Sequence, residues 1–474
     1  VQGPYPSKKD IARAEVGDLV LSQGTLGDKV ADLGTLIVPE SRDGASGRRI
    51  ELPVVRIRAQ GPTPTEPVFL FEGGPGLTNI KPDPVPDWLL GAHDVVMVGY
   101  RGIDGSVSLQ SPELNAALKS PTDPLSTAGL QQAGQSLTQT AGRLRREGID
   151  LGAYSVLNVV DDVEDARVAL GYERVHLSGG SYGGAVAYAY CVRYPERVAR
   201  AILSEAAFPF NVGLAEPGQV DSKLLRLNEL WQHSPRVSDS ADIVTTMRSV
   251  LGTLPREWNG IPIIPGKVRL TTYLGMYTAD MVAQTFDAFV AAEQGDYSGL
   301  AFMSLMWDQV VEWFNWGDLC AKTYSTKVGP ERDYESEMDP PGSIIGSPLS
   351  KLAWASLQYS EWQPSPLPER HQAPQDVDAE VLLIFGSREA VPQEMLPTFR
   401  RGSLVALEDL GHMEVTAAQP EAAAHLQRRF LLDGVADTSK YEMVPQAARS
   451  FVPGVSYQEQ ARQLLANLQE GGPQ

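Results

Sequence analysis

Positive charge is in short supply in this sequence: 40 lysines and arginines stand against 59 aspartates and glutamates, for a formal net charge of −19 at pH 7. A nucleic-acid partner needs a basic surface that displaces counterions from phosphate, and anionic lipid needs one too, so the composition argues against both. The acidity reads as a solvated surface, with attraction of amine-bearing substrates as the sharper alternative. Cysteine is scarce as well. Cys191 and Cys320 are the two present, neither sits in a metal-ligand spacing, and six scattered histidines do not supply one, so no metal site is expected. A disulfide between them is neither required nor excluded. Long apolar runs are missing: no window approaches the roughly 18 uninterrupted apolar residues of a membrane helix, and runs such as Val381–Phe385 are strand-sized. A membrane-spanning chain is not expected. The sequence opens at Val1 without an apolar leader in its first ten residues, which leans towards a processed protein, secreted or periplasmic.

What is present is a chain of 474 residues, 42% hydrophobic and 21% charged, enough for a large core and more than one folding unit. The first half alternates strand-like and helix-like segments, as in an α/β protein. Gly34–Val38 and Ile50–Ala59 read as early strands. Val68–Phe71 and Asp94–Tyr100 are short, β-branched and bounded by glycine, which favours buried strands. A helix is expected over Asn158–Gly171, with Asn158 as its cap and Asp161 and Asp162 in the first turn, where the helix dipole favours negative charge. The strand Arg174–Leu177, a glycine-rich turn, a helix from Ala185 and the strand Ala201–Leu203 come next. From about Phe208 to Pro366 the alternation is lost and helices with loops around 252–267 and 326–346 are expected. It returns with Val381–Phe385, a helix near Pro392–Phe399, Ser403–Leu407, a helix near Ala417–Phe430 and a looser tail. The expected domains are a sheet core over 1–207, a helical cap over 208–366, and the second part of the core over 367–474.

The chemistry centres on Gly179-Gly180-Ser181-Tyr182-Gly183, which fits Gly-x-Ser-x-Gly with a strand running into it and a helix leaving it. That context is a nucleophile elbow, in which a strained turn presents the serine. A serine hydroxyl needs a base to take its proton, and His412, after the last expected strand, is the candidate. The base needs a carboxylate, and in this elbow's fold the chain order is Ser, acid, His. Glu389 lies just past the penultimate strand, where the acid belongs; Asp409 and Glu205 are the alternatives. Two backbone donors are needed for an oxyanion. They are expected from Tyr182 and from the loop Glu72-Gly73-Gly74-Pro75-Gly76, with Gly74 as the choice because Pro75 has no N–H.

The segments Glu-Gly-Gly-Pro-Gly at 72–76, Tyr100-Arg101-Gly102, Gly-Gly-Ser-Tyr-Gly-Gly at 179–184 and Arg193-Tyr194-Pro195-Glu196 resemble the proline iminopeptidase and tripeptidyl aminopeptidase group of α/β-hydrolases. The resemblance covers roughly residues 33–210 and 378–430. It implies an α/β-hydrolase fold, with a mostly parallel eight-stranded sheet and an inserted helical cap. It also implies a triad of Ser181, Glu389 and His412, oxyanion donors at Gly74 and Tyr182, and no cofactor. Three departures stand out: Glu72 replaces the family's usual His, Glu389 its usual Asp, and the cap glutamates that hold a peptide's amino terminus have no recognisable motif. Candidate substrate contacts are Glu72, Trp307, Asp308 and Glu312, against the plainer readings of a solvated helix face for the two acids and of cap core for the tryptophan. The expected partner is a short peptide cleaved from its amino terminus. The alternative is a small non-peptide molecule cleaved by an esterase, lactonase or amidase.

Overall fold

The computed structural model describes the chain apart from residues 1–4, 45–46, 82–84, 211, 213–214, 234–241, 325–330, 363–365, 390–392, 443–450, 452–453 and 471–474. Nine strands form one sheet: β1 (Leu19–Leu26), β2 (Lys29–Pro39), β3 (Arg49–Ile57), β4 (Val68–Phe71), β5 (Val95–Val98), β6 (Val175–Gly180), β7 (Val198–Ser204), β10 (Val377–Gly386) and β11 (Phe399–Leu407). A two-stranded hairpin of β8 (Glu257–Trp258) and β9 (Ile261–Pro262) lies apart from it. The sheet order is β1-β2-β3-β5-β4-β6-β7-β10-β11. From β5 to β11 neighbouring strands pair in parallel, and β1, β2 and β3 add an antiparallel edge.

The chain is thus mostly parallel as expected, with one strand more than the eight read from the sequence. The addition is β1. Its Leu-Val-Leu-Ser-Gln-Gly-Thr-Leu is only partly buried and breaks the apolar pattern at the sheet edge. It joins β2 through Gly27 and Asp28, and Gly27 at φ +58° suits the first position of a tight hairpin turn.

After β4 the chain goes outward to β5, and after a long crossover it returns to β6 on the other side of β4. That reversal opens a crevice at the carboxyl ends of β4 and β6, the place where such sheets bind ligands. The crossover contains Thr127–Arg146, a helix not anticipated from the sequence. Leu130, Ala133, Leu137, Ala141 and Leu144 make its buried stripe, and Ser126 caps it. The next helix is Val156–Leu170, which starts before Asn158; its cap position is Ser155, and Gly171 closes it at φ +77°. Asp161 and Asp162 do more there than favour a dipole. Both are buried: Arg101 binds Asp162 at 2.6 and 2.7 Å, while Arg193 and the Tyr194 hydroxyl bind Asp161 at 2.5 and 2.8 Å. Two of the conspicuous motif segments therefore brace the crossover helix against the sheet.

Between β7 and β10 lie helices that include Pro217–Gln232, Ile243–Leu251, Pro265–Gly275, Ala279–Glu293, Ser298–Trp313 and Trp316–Tyr324. Many of them share a second apolar core of Leu224, Trp231, Met247, Phe286, Phe289 and Met303. The stretch expected as loop over 252–267 holds the β8–β9 hairpin and the start of a helix. In the stretch 326–346, a short helix forms at Tyr334–Glu337, while 326–330 lie outside the described residues. Pro392 is also outside them. The helix expected there is replaced by a 3₁₀ segment, Gln393–Thr398, in which Pro397 is unable to donate a helical hydrogen bond. The tail ends in the helix Tyr457–Glu470. It joins the insert, not the sheet: Tyr457 and Phe451 enter the second core, and Gln458 donates to the carbonyl of Asp287 at 3.0 Å. Among the described residues no helix is long and apolar enough to cross a membrane. Both cysteines are buried and neither is in a disulfide, and burial pushes the Cys191 thiol up to about 12.

Candidate active site

β6 is a buried strand, the helix Tyr182–Arg193 after it is apolar nearly throughout, and Ser181 is the single residue between them. Its backbone has φ 53° and ψ −122°, a conformation strained for any residue with a β-carbon. The strain is over-determined by hydrogen bonds: Ser181 N donates to Ser204 O at 3.0 Å, and Ser181 O accepts from Gly184 N at 3.0 Å and Ala207 N at 2.9 Å. The flanking glycines are needed for close approach. A β-carbon on Gly179 would lie 2.3 Å from the Gly183 carbonyl oxygen, and one on Gly183 would lie 2.1 Å from that of Phe71.

His412 comes after β11 in a loop tied down from several sides. Gly411 N donates to Glu414 Oε2 at 2.7 Å, Arg388 pairs with the same carboxylate, and Glu414 Oε1 accepts from Ala279 N at 2.7 Å. His412 Nε2 stands 2.9 Å from Ser181 Oγ. On the other side of the ring, Nδ1 is 3.7 Å from Glu389 Oε2. The ring of Tyr277 covers the imidazole at 4.9 Å between centroids.

Three acids compete for the orienting place, and geometry separates them. Glu389, beyond β10, faces Nδ1. Asp409 is turned to Arg226 at 2.7 Å, and Glu205 accepts from Gly386 N at 2.5 Å. Burial of Glu389 would raise its pKa, but the ammonium of Lys223, bonded to it, and His412 outweigh that and hold it near 2. Glu205 goes the other way: burial and the nearby charge of Glu389 raise it well above the carboxylate range. Ser181, Glu205 and Asp409 all have positive φ, so three of the four such non-glycine residues among the described ones sit at adjoining strand ends around this site. Glu205, Glu389 and His412 bring ligand atoms within 4.8 Å of one another. The Lys223 ammonium is already bonded to Glu389 there.

The glycine loop after β4 meets the serine because β4 pairs with β6, Phe71 opposite Gly179. A β-carbon on Gly73 would be 3.0 Å from Ser181 Cβ and 3.7 Å from Oγ. Gly74, the expected donor, is the next residue, at φ +78°. Tyr182 begins the helix, where its amide has no intrahelical acceptor, and its ring is fully buried.

Residues that sequence reasoning did not single out fix this loop. Asn79, fully buried, accepts from Glu72 N at 2.8 Å and donates to the carbonyls of Leu70 and Val98. From the insert, Asn315 N donates to Gly76 O at 2.8 Å and Gly76 N donates to Asp318 at 3.2 Å. Asp318 is itself buried against Lys322 at 2.6 and 2.7 Å. Burial raises Asp318 to about 6 and lowers Lys322, despite their mutual attraction.

Three of the four expected substrate contacts are placed elsewhere. Trp307 is fully enclosed in the main core beside Trp316, because its apolar helix face packs down rather than lining a cavity. Asp308 is paired with Lys267 at 2.6 Å, and Glu312 with Lys119 and Asn115. Glu72 stays on the serine's loop, partly exposed and paired with Lys81 at 2.9 Å.

A family model described as alpha/beta hydrolase fold matches residues 66–275. The pig 1-acylglycerol-3-phosphate O-acyltransferase ABHD5 is 42% identical over 77 residues; that match spans 16% of this chain and only 22% of that protein. Among solved structures, a serine hydrolase of the bacterium Cycloclasticus zankles is similar with a TM-score of 0.38 and 12% identity, over 88% of this chain and all of that one. A juvenile hormone epoxide hydrolase of the silkworm Bombyx mori has a TM-score of 0.36 and 11% identity, over 86% and 78%. The family match over β4 to the insert, the sheet order and the elbow at Ser181 together give this chain the α/β-hydrolase fold.

Proposed function

We propose that the protein is a serine hydrolase that cleaves an acyl bond through an acyl-enzyme. Ser181 is the nucleophile, His412 the general base and then acid, and Glu389 the group that orients the imidazole and stabilises its protonated form. The observation that carries this reading is the contact of 2.9 Å from His412 Nε2 to Ser181 Oγ, with Glu389 on the far side of the same ring. Oxyanion stabilisation falls to the amide of Tyr182 and to the glycine loop at Gly73 and Gly74. No step calls on a cofactor.

For substrate we propose a short peptide cleaved from its free amino terminus. The resemblance of the motif segments to the aminopeptidase group supports this, as does the excess of acidic residues. Glu72, on the serine's own loop, is the carboxylate for the ammonium group in this reading; like Asp308 and Glu312 it holds a lysine, Lys81, which the substrate would displace. That same engagement of the two cap acids favours the second reading, an esterase, lactonase or amidase for an uncharged small molecule. Hydrolysis of prolyl and alanyl anilides, free and blocked at the amino end, beside p-nitrophenyl acetate, separates the two. Turnover of the free anilides and not of the blocked ones is expected. Turnover of the ester alone would retire the peptidase reading.

A further inference from the structure

Lys223 lies on Pro217–Gln232, the first long helix of the insert, and its ammonium is bonded to Glu389 Oε1. The other oxygen of that carboxylate is the one facing His412. A single carboxylate is therefore shared between an imidazole of the sheet domain and an ammonium of the insert. The ammonium also lies 5.4 Å from the centroid of the Tyr277 ring that covers His412. One turn along the same helix, Arg226 holds Asp409, three residues before the histidine. One helix thus grips both the acid loop and the histidine loop.

We infer that Lys223 is a positioning residue of the hydrolytic site: it orients and neutralises Glu389 from the insert, so that the seating of the insert on the sheet sets the basicity of His412. The inference rests on the serine-hydrolase reading. A free carboxylate beside a histidine favours the imidazolium, and a cation bonded to that carboxylate cancels much of its field. With the insert seated, the Lys223 ammonium offsets part of the charge of Glu389, which favours the neutral form of a neighbouring imidazole, the form that can take the serine proton. With it lifted, the full charge of Glu389 favours the protonated ring, which cannot.

The other groups around the pair do not replace Lys223. Glu205 is an acid, not a cation, and burial and the charge of Glu389 push its pKa up, while burial raises the phenols of Tyr273 and Tyr277. Arg388, whose charge also reaches Glu389, is bonded to Glu414 and not to that carboxylate, and Arg226 is bonded to Asp409 and Glu229.

The test is an NMR titration of the full chain carrying histidine labelled with carbon-13 at Cε1, with the His412 signal assigned by its loss in His412→Asn. Lys223→Gln keeps a hydrogen-bond donor for Glu389 and removes the charge. It is expected to raise the His412 midpoint by roughly one pH unit or more, while Lys223→Arg leaves it within a few tenths. An unmoved or lowered midpoint in Lys223→Gln overturns the inference. Should that variant fail to fold, Lys223→Met, which keeps the packing of the stem, is read the same way. The titration needs no substrate, so its outcome is separate from the hydrolase reading, which fails if an active-serine probe does not label Ser181.

Discussion

Replacing Ser181 by glycine and by alanine gives two proteins without the proposed nucleophile that differ in stability in a direction fixed by the backbone. At φ 53° and ψ −122° any residue with a β-carbon is strained, at a cost of roughly 1–3 kcal/mol. Alanine keeps the β-carbon and the strain. Glycine relieves it, less about 0.5–1 kcal/mol for the greater freedom of glycine in the unfolded chain. Ser181→Gly should therefore be more stable than Ser181→Ala by about 1.2 kcal/mol at the centre of these ranges. Urea unfolding followed by fluorescence reads the difference as a higher midpoint at an unchanged slope. Both variants lose the hydroxyl, so activity cannot confuse the comparison. Equal midpoints, or a higher one for alanine, would refute the claim that the turn stores strain to present the serine.

Other consequences are open to measurement. His412→Ala should lower turnover by several powers of ten, and Glu389→Gln by less, while Asp409→Asn, whose carboxylate is turned to Arg226, should leave most activity in place; steady-state kinetics on any accepted substrate reads this. Arg101→Met removes the fork from buried Asp162, which keeps Arg42, and strips the carbonyls of Pro39, Glu40 and Ala153 of a donor, so unfolding in urea should show a loss at the lower end of roughly 3–5 kcal/mol. Glu205 has a folded pKa raised above its unfolded value, so its contribution is full below about pH 4.5 and is lost as pH rises towards the folded pKa. Glu205→Gln removes that loss, and its stability relative to the native protein should be greater at pH 8 than at pH 5. Gly183→Ala puts a β-carbon 2.1 Å from the Phe71 carbonyl oxygen and should yield little soluble protein, measured as expression yield against native.

The parts of the site that succeed one another along the chain were legible in the sequence. A buried strand, Gly-x-Ser-x-Gly and an apolar helix are consecutive, and Ser181, Glu389 and His412 follow the ends of β6, β10 and β11 in chain order. What escaped were contacts between residues far apart. Lys223 reaches Glu389 across 166 positions and Asp318 reaches Gly76 across 242, and a charged residue on a helix gives no sign of which loop it will meet. Trp307 shows the opposite failure. An aromatic on an apolar helix suits a pocket wall or a core equally, and only the packing, here against Trp316, decides. Asp161 and Asp162 read as residues of a helix's first turn because their arginine partners come from other elements. The edge strand β1 and the last helix, Tyr457–Glu470, were missed because each carries its apolar residues sparsely and is fixed by a neighbour.

The central claim, that Ser181 is made nucleophilic by His412, is tested most directly by reaction with a fluorophosphonate probe and peptide mass spectrometry of the product. A single adduct on Ser181, formed by the native protein and not by His412→Ala, is the predicted result. An adduct on another serine, or equal labelling of Ser181 without the histidine, would contradict it.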